Sequence, residues 1–182
     1  AAFGWSAGEP EPSAWSAPAM RQFLQLAAQY PDQIAIALHE YSYTVDDIAD
    51  AYPYKVGRFQ ELFAVADAYF IPRPTVLITE WGWEYNHVPA PEQALADITW
   101  ASWLYAAHPE VLGAAIWYLG KGEAFDPVAQ ETQLLVEPVT DYSLSHYFGI
   151  SPEPGRIEPA ILAPANMVEL APERFRHASR SR

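Results

Sequence analysis

VLITEWGWEYN, residues 76–86, decides how this chain is read. Four apolar or β-branched residues, Val76 to Thr79, lead into one carboxylate, Glu80, and Trp81, Trp83 and Tyr85 follow it closely. A short apolar run of this kind is a buried strand. Downstream, Pro91 to Ala107 has helical spacing, and VLGAAIWYLG (111–120) is a further strand. Upstream, GRFQELFAVADAYF (57–70) places Phe59, Leu62, Phe63, Ala66 and Phe70 on one helical face. Before it come a strand from Ile34 to about His39 and a helix over Ser16–Tyr30, with Pro18 near its start. AAFGW (1–5) is the first strand, and PVTDYSLSHYF (138–148) holds a weaker final helix. Near-continuously apolar strands alternating with helices predict an α/β fold with a parallel sheet covered by helices.

In parallel α/β folds, ligands meet the carboxyl ends of the strands. Here those ends carry Trp5, then His39 and Tyr41, then Glu80 with Trp81 and Trp83, then Trp117 and Tyr118. Trp and Tyr faces stack on the C–H faces of sugar rings, and a carboxylate among them has the chemistry of a nucleophile or an acid. Carbohydrate is therefore the expected partner.

LITEWGW (77–83) resembles the seventh strand of (β/α)8-barrel retaining glycoside hydrolases, whose nucleophilic Glu ends that strand. ALHEYSY (37–43) is similar to their sixth strand, with its His-x-Tyr element, and AAIWYLG (114–120) to their eighth. FGWSAGEPEP (3–12) then falls on the fifth. The resemblance covers residues 1–148 and implies half of a TIM barrel, strands five to eight. It implies Glu80 as nucleophile, His39 and Tyr41 as residues that orient it or touch substrate, and Trp117 as the sugar platform. Trp5, Trp81 and Trp83 complete the expected substrate-binding set. It implies no cofactor and no metal, and favours an extracellular or cell-envelope location.

The chain departs from the family in one respect. The acid/base of these enzymes is a Glu, usually after Asn, on the fourth strand, and no Asn-Glu pair occurs here. Retaining hydrolysis needs two carboxyl groups roughly 5 Å apart. Glu9, in GEP, and Glu40 are the substitutes within the chain, but Glu9 sits one strand–helix unit too close to His39. Strand alternation turns Glu40 away if His39 and Tyr41 point inward. The expectation is a missing N-terminal half-barrel, on the same precursor or another polypeptide, that supplies the acid/base. The absence of a leading Met is expected of a processed or truncated chain.

The rival reading is a non-catalytic carbohydrate-binding or structural subunit of a larger assembly. A free-standing flavodoxin-like sheet fits the rhythm but leaves the aromatic strand ends without a purpose. Blander roles also stand: Glu80 as a loop carboxylate paired with Arg73, His39 as a core histidine, and Trp100 and Trp103 as helix packing.

Residues 149–182 are Pro-rich without either period and read as an extended linker or strap, ending in the basic cluster RFRHASRSR (174–182). A net charge of −13 argues against nucleic acid and anionic membrane surfaces. No apolar run is long enough for a membrane span. The absence of cysteine excludes disulfides and thiolate chemistry. The acids and His at Glu84, His87 and Glu123 have no metal-ligand spacing, and Asp46, Asp47 and Asp50 read as a solvated loop or helix start.

Overall fold

A computed structural model describes residues 1–43, 47–84, 87–120, 124–148 and 167–169. Three parallel strands form the centre: β1 (Ile36–Tyr41), β2 (Val76–Gly82) and β3 (Val111–Ile116), hydrogen-bonded in the order β1-β2-β3. Helices α1 (Pro12–Trp15) and α2 (Pro18–Gln29) precede β1. A 3-10 turn (Ile48–Ala51) and α3 (Phe59–Ala68) join β1 to β2, and α4 (Pro91–Ala106) joins β2 to β3. The fold is α/β, with neighbours in the sheet also neighbours in the chain.

The expected first strand over residues 1–5 is reduced to one bridging residue. Ala2 N–H donates to Ala35 O at 2.7 Å and Ala2 O accepts from Ala37 N–H at 2.8 Å, parallel to β1. Phe3 then turns left-handed (φ 77°), and an extended strand does not continue through that conformation. Beyond β3 the chain does not stay extended to Gly120. Trp117 N–H makes a last bond to Trp81 O at 2.8 Å, and α5 (Asp126–Gln133) and α6 (Val136–Ser145) follow. The segment expected to lack regular structure contributes β5 (Met167–Glu169), antiparallel to β4 (His146–Phe148). The rest of 149–182, with the basic cluster, lies outside the described residues, as do Asp46, Tyr85, Asn86 and Glu123.

One face of the sheet is buried under the helices. Ile36, Leu38, Val76 and Ile78 meet Leu24, Phe59, Leu62 and Leu104 in a single core. At the β1–β2 ladder Leu38 pairs with Ile78, but His39 pairs with Glu80, so Thr79 is an extra residue on β2. This bulge reverses the pleat. Before it Val76 and Ile78 face the helices; after it Trp81 and Trp83 do, and Glu80 and Gly82 stand with His39 and Tyr41 on the opposite, inner face.

Among the described residues the edge at β3 is bare. Leu112 is 67 % exposed, Gly113, Ala114 and Ala115 are exposed too, and among those residues β3 pairs on one side alone. An apolar cleft of about 340 Å³ lies beside it, lined by Trp81, Ile98, Tyr105, Val111, Ala114 and Val139.

Candidate functional site

Glu80 Oε2 accepts a hydrogen bond from the Tyr41 hydroxyl at 2.9 Å, and His39 Nδ1 lies 3.3 Å from the same oxygen. The arrangement follows from the register. His39 sits directly beside Glu80, and Tyr41 directly beside Gly82, two residues further along the same face. The side chains of His39 and Glu80 are 17 % and 27 % exposed, so the carboxylate is held by its neighbours yet open to solvent. Glu80 makes no ion pair with Arg73, which instead forks onto Asp67 at 2.7 and 3.0 Å.

Trp117 approaches this cluster through its main chain, because its carbonyl oxygen lies 3.8 Å from where a Cβ on Gly82 would stand. Its ring stacks on Tyr118 with centroids 4.7 Å apart and meets Phe125 edge-on at 5.8 Å. The Trp117–Tyr118 peptide bond is cis.

Of the other aromatic residues singled out by sequence, Trp81 and Trp83 are placed elsewhere. Trp81 and Trp83 are buried in the helix-side core, packed edge to face at 5.0 Å, and do not share the Glu80 face. Trp83 Nε1–H donates to Asp97 Oδ2 at 2.6 Å, and Gln93 Nε2–H donates to Asp97 Oδ1 at 2.8 Å. Trp5 is taken up by Phe3 and Trp15 at 4.1 and 5.4 Å.

Glu40 is turned to the opposite face from Glu80 and is fully buried. Its Oε2 accepts from Gly57 N–H at 2.8 Å and from the Tyr105 hydroxyl at 2.7 Å, at the start of α3. Burial pushes its carboxyl up to about 7, against the opposing pull of those donors. Burial, then the neighbouring Glu40 carboxylate, likewise pushes the Tyr105 hydroxyl up, so it stays a donor. Glu9 is an exposed residue of a turn, its N–H bonded to Ser6 O at 2.9 Å.

Among the described residues no group of three or more His, Asp or Glu gathers as metal ligands. His87 Nδ1 instead lies 3.1 Å from Glu131 Oε2, which also accepts from Val88 N–H at 2.6 Å and so ties the segment after β2 to α5. Among the described residues no helix is long and apolar enough to cross a membrane.

Sequence reasoning passed over two residues that touch Tyr41. Tyr43, two positions past Tyr41, stacks near it with centroids 6.2 Å apart and rings 10° from parallel; it is 47 % exposed, with Lys55 Nζ 4.6 Å from its ring centre. Gly82 is the other. The two-residue period along β2 is the signal that finds Gly82; Tyr43, past the end of β1 and left-handed at φ 59°, lies outside that period. Compared with known proteins, the chain matches no family model, no curated protein and no solved structure.

Proposed function

We propose that this chain is the C-terminal half of a (β/α)8-barrel glycoside hydrolase and that Glu80 is the nucleophile of a retaining reaction on a β-linked glycoside. The observation that carries the reading is the convergence of the Tyr41 hydroxyl and His39 Nδ1 on one oxygen of Glu80, at the carboxyl end of a parallel sheet. The Tyr41 hydroxyl donates to that oxygen and His39 Nδ1 lies against it, and both contacts are to Oε2, which leaves Oε1 to attack. The in-sequence order of parallel strands from Ala2 to β3, and the bare β3 edge, support a sheet meant to continue into a further half-barrel.

In the proposed reaction a Glu80 oxygen forms a bond to the anomeric carbon as the bond to the leaving oxygen breaks. A carboxylic acid on the preceding half protonates that oxygen. Water, deprotonated by the same group, then displaces Glu80 and restores the original configuration. Tyr43, exposed and parallel to Tyr41, extends the aromatic surface toward a neighbouring sugar.

The test is covalent trapping on the natural protein, with whatever chain precedes residue 1. A panel of 2,4-dinitrophenyl 2-deoxy-2-fluoro-β-glycosides suits it because dinitrophenolate leaves without protonation, so the experiment reads the nucleophile alone. One sugar is expected to esterify Glu80, seen as a mass increase on the peptide spanning residues 76–86. Glu80→Gln should slow labelling by at least about a thousandfold. If no sugar in the panel labels Glu80, the non-catalytic carbohydrate-binding or structural subunit replaces this reading.

A further inference from the structure

Gly82 needs an explanation that backbone conformation does not supply. Among the described residues the glycines with positive φ are Gly8, Gly57 and Gly113; Gly82 is not among them, so any residue could adopt its backbone. Nor is it at a loose end of the strand, because it is buried and its carbonyl accepts from Ser42 N–H at 3.2 Å. What distinguishes it is the space above its Cα. A Cβ there would lie 3.3 Å from Tyr41 Cε1, 3.4 Å from Tyr41 Cδ1 and 3.8 Å from the Trp117 carbonyl oxygen. The Tyr41 ring therefore lies over Gly82, with the Trp117 main chain close by.

The direction of the ring follows from register. Tyr41 pairs with Gly82, and Glu80 is two residues back on the same face of β2. A tyrosine standing perpendicular to the sheet would miss Glu80. Leaning over an empty position, it reaches back along β2 and puts its hydroxyl 2.9 Å from Glu80 Oε2. We infer that Gly82 is a positioning residue for Glu80: by carrying no side chain it keeps the slot in which the Tyr41 ring lies, and so holds the hydroxyl on the carboxylate. The slot is tight on the ring side, so even a methyl group pushes the ring outward by a few tenths of an ångström, and a branched side chain expels it. Tyr41, not Gly82, then transmits the effect.

The kinetic part of the test rests on Glu80 being a nucleophile; the structural part does not. In a crystal structure of Gly82→Ala, the distance from the Tyr41 hydroxyl to Glu80 Oε2 is expected to lengthen from 2.9 Å by a few tenths of an ångström, past the usual limit of about 3.0 Å for an O–H···O bond. A ring that stays in place with that bond intact overturns the inference, whatever the enzymology. In the labelling assay, Gly82→Ala and Tyr41→Phe should each slow esterification of Glu80 about tenfold. The double variant should be no slower than the slower single one, because both changes remove the same hydrogen bond. Multiplicative losses, about a hundredfold together, mean that Gly82 acts by another route and overturn the inference. If the unaltered protein is never labelled, the nucleophile reading fails, and the crystallographic distance decides the role of Gly82 alone.

Discussion

Glu40 and Glu80 stand on adjacent strands and one residue apart in register, since His39 pairs with Glu80 and Glu40 with Trp81. Each carboxylate receives a tyrosine hydroxyl, at 2.7 Å from Tyr105 and 2.9 Å from Tyr41. Their surroundings are opposite. Glu40 lies on the helix side with no solvent exposure, and its Oε1 has no hydrogen-bond partner among the described residues. Glu80 lies on the inner face with its side chain 27 % exposed. Similar donors thus serve different ends. On the closed face they fasten β1 to the start of α3 and to α4, at the cost of a desolvated acid. On the open face they orient a group that can still reach a ligand.

Replacing each carboxylate tests that contrast most strongly. Glu40→Ala should destabilise the fold by about 4 kcal/mol, because it leaves a cavity and strands the Gly57 N–H and the Tyr105 hydroxyl away from water. Glu80→Ala should change stability by less than about 1 kcal/mol, since its donors face solvent. Urea unfolding of both variants reads the difference, and equal losses would end the contrast.

The pH dependence of stability sharpens it. The Glu40 carboxyl titrates at about 7 in the fold against an ordinary 4.5, so the folded state binds its proton more tightly than the unfolded chain does. The resulting stability is complete below pH 4.5, falls as pH rises through 7, and is absent above it. At about 1.4 kcal/mol per pH unit, the loss is about 3 kcal/mol. Burial also raises the carboxyls of Asp97 and Glu61, which act in the same direction. Unfolding midpoints at pH 5 and pH 8 should therefore separate in the unaltered protein and draw together in Glu40→Gln, with a smaller residual slope. A slope unchanged in Glu40→Gln would remove Glu40 as its source.

A smaller effect than at Glu40 is expected at the second closed-face acid. Trp83→Phe removes the 2.6 Å donor to Asp97 Oδ2 and should cost about 1.5 kcal/mol, measured the same way. A neutral result would mean that water reaches Asp97.

The order of strands and helices was legible because periodicity reports which face is buried. The runs around Ile36, Val76 and Val111 each became strands, and the helices at Pro18, Phe59 and Pro91 begin where proline or the apolar face begins. The grouping of His39, Tyr41 and Glu80 was legible from their places at neighbouring strand ends. Trp81 and Trp83 were harder. Proximity to Glu80 in sequence suggested a shared pocket, but alternation sends odd and even positions to opposite faces. Alternation alone would also have misled, because counted from Val76 and Ile78 it puts Glu80 on the helix side. The extra residue at Thr79 reverses the count, and a bulge leaves little trace in composition. Strand one failed for a similar reason: AAFGW is apolar enough to be extended, and only the backbone angle at Phe3 ends it.

The bulge at Thr79 makes β2 a strand with two reading frames for its pleat. Upstream of it even-numbered residues face the helices and downstream odd-numbered ones do, so everything from Glu80 to Trp83 is phased by a single residue. Taking Thr79 into the ladder opposite His39 would act as a frameshift without touching any side chain of the site. It would turn two tryptophans outward and drive Glu80 beneath the helices, beside Glu40. Deleting Thr79 would instead leave Glu80 opposite His39, so a diverged copy of this chain with the acid one residue nearer the apolar run still presents it on the inner face.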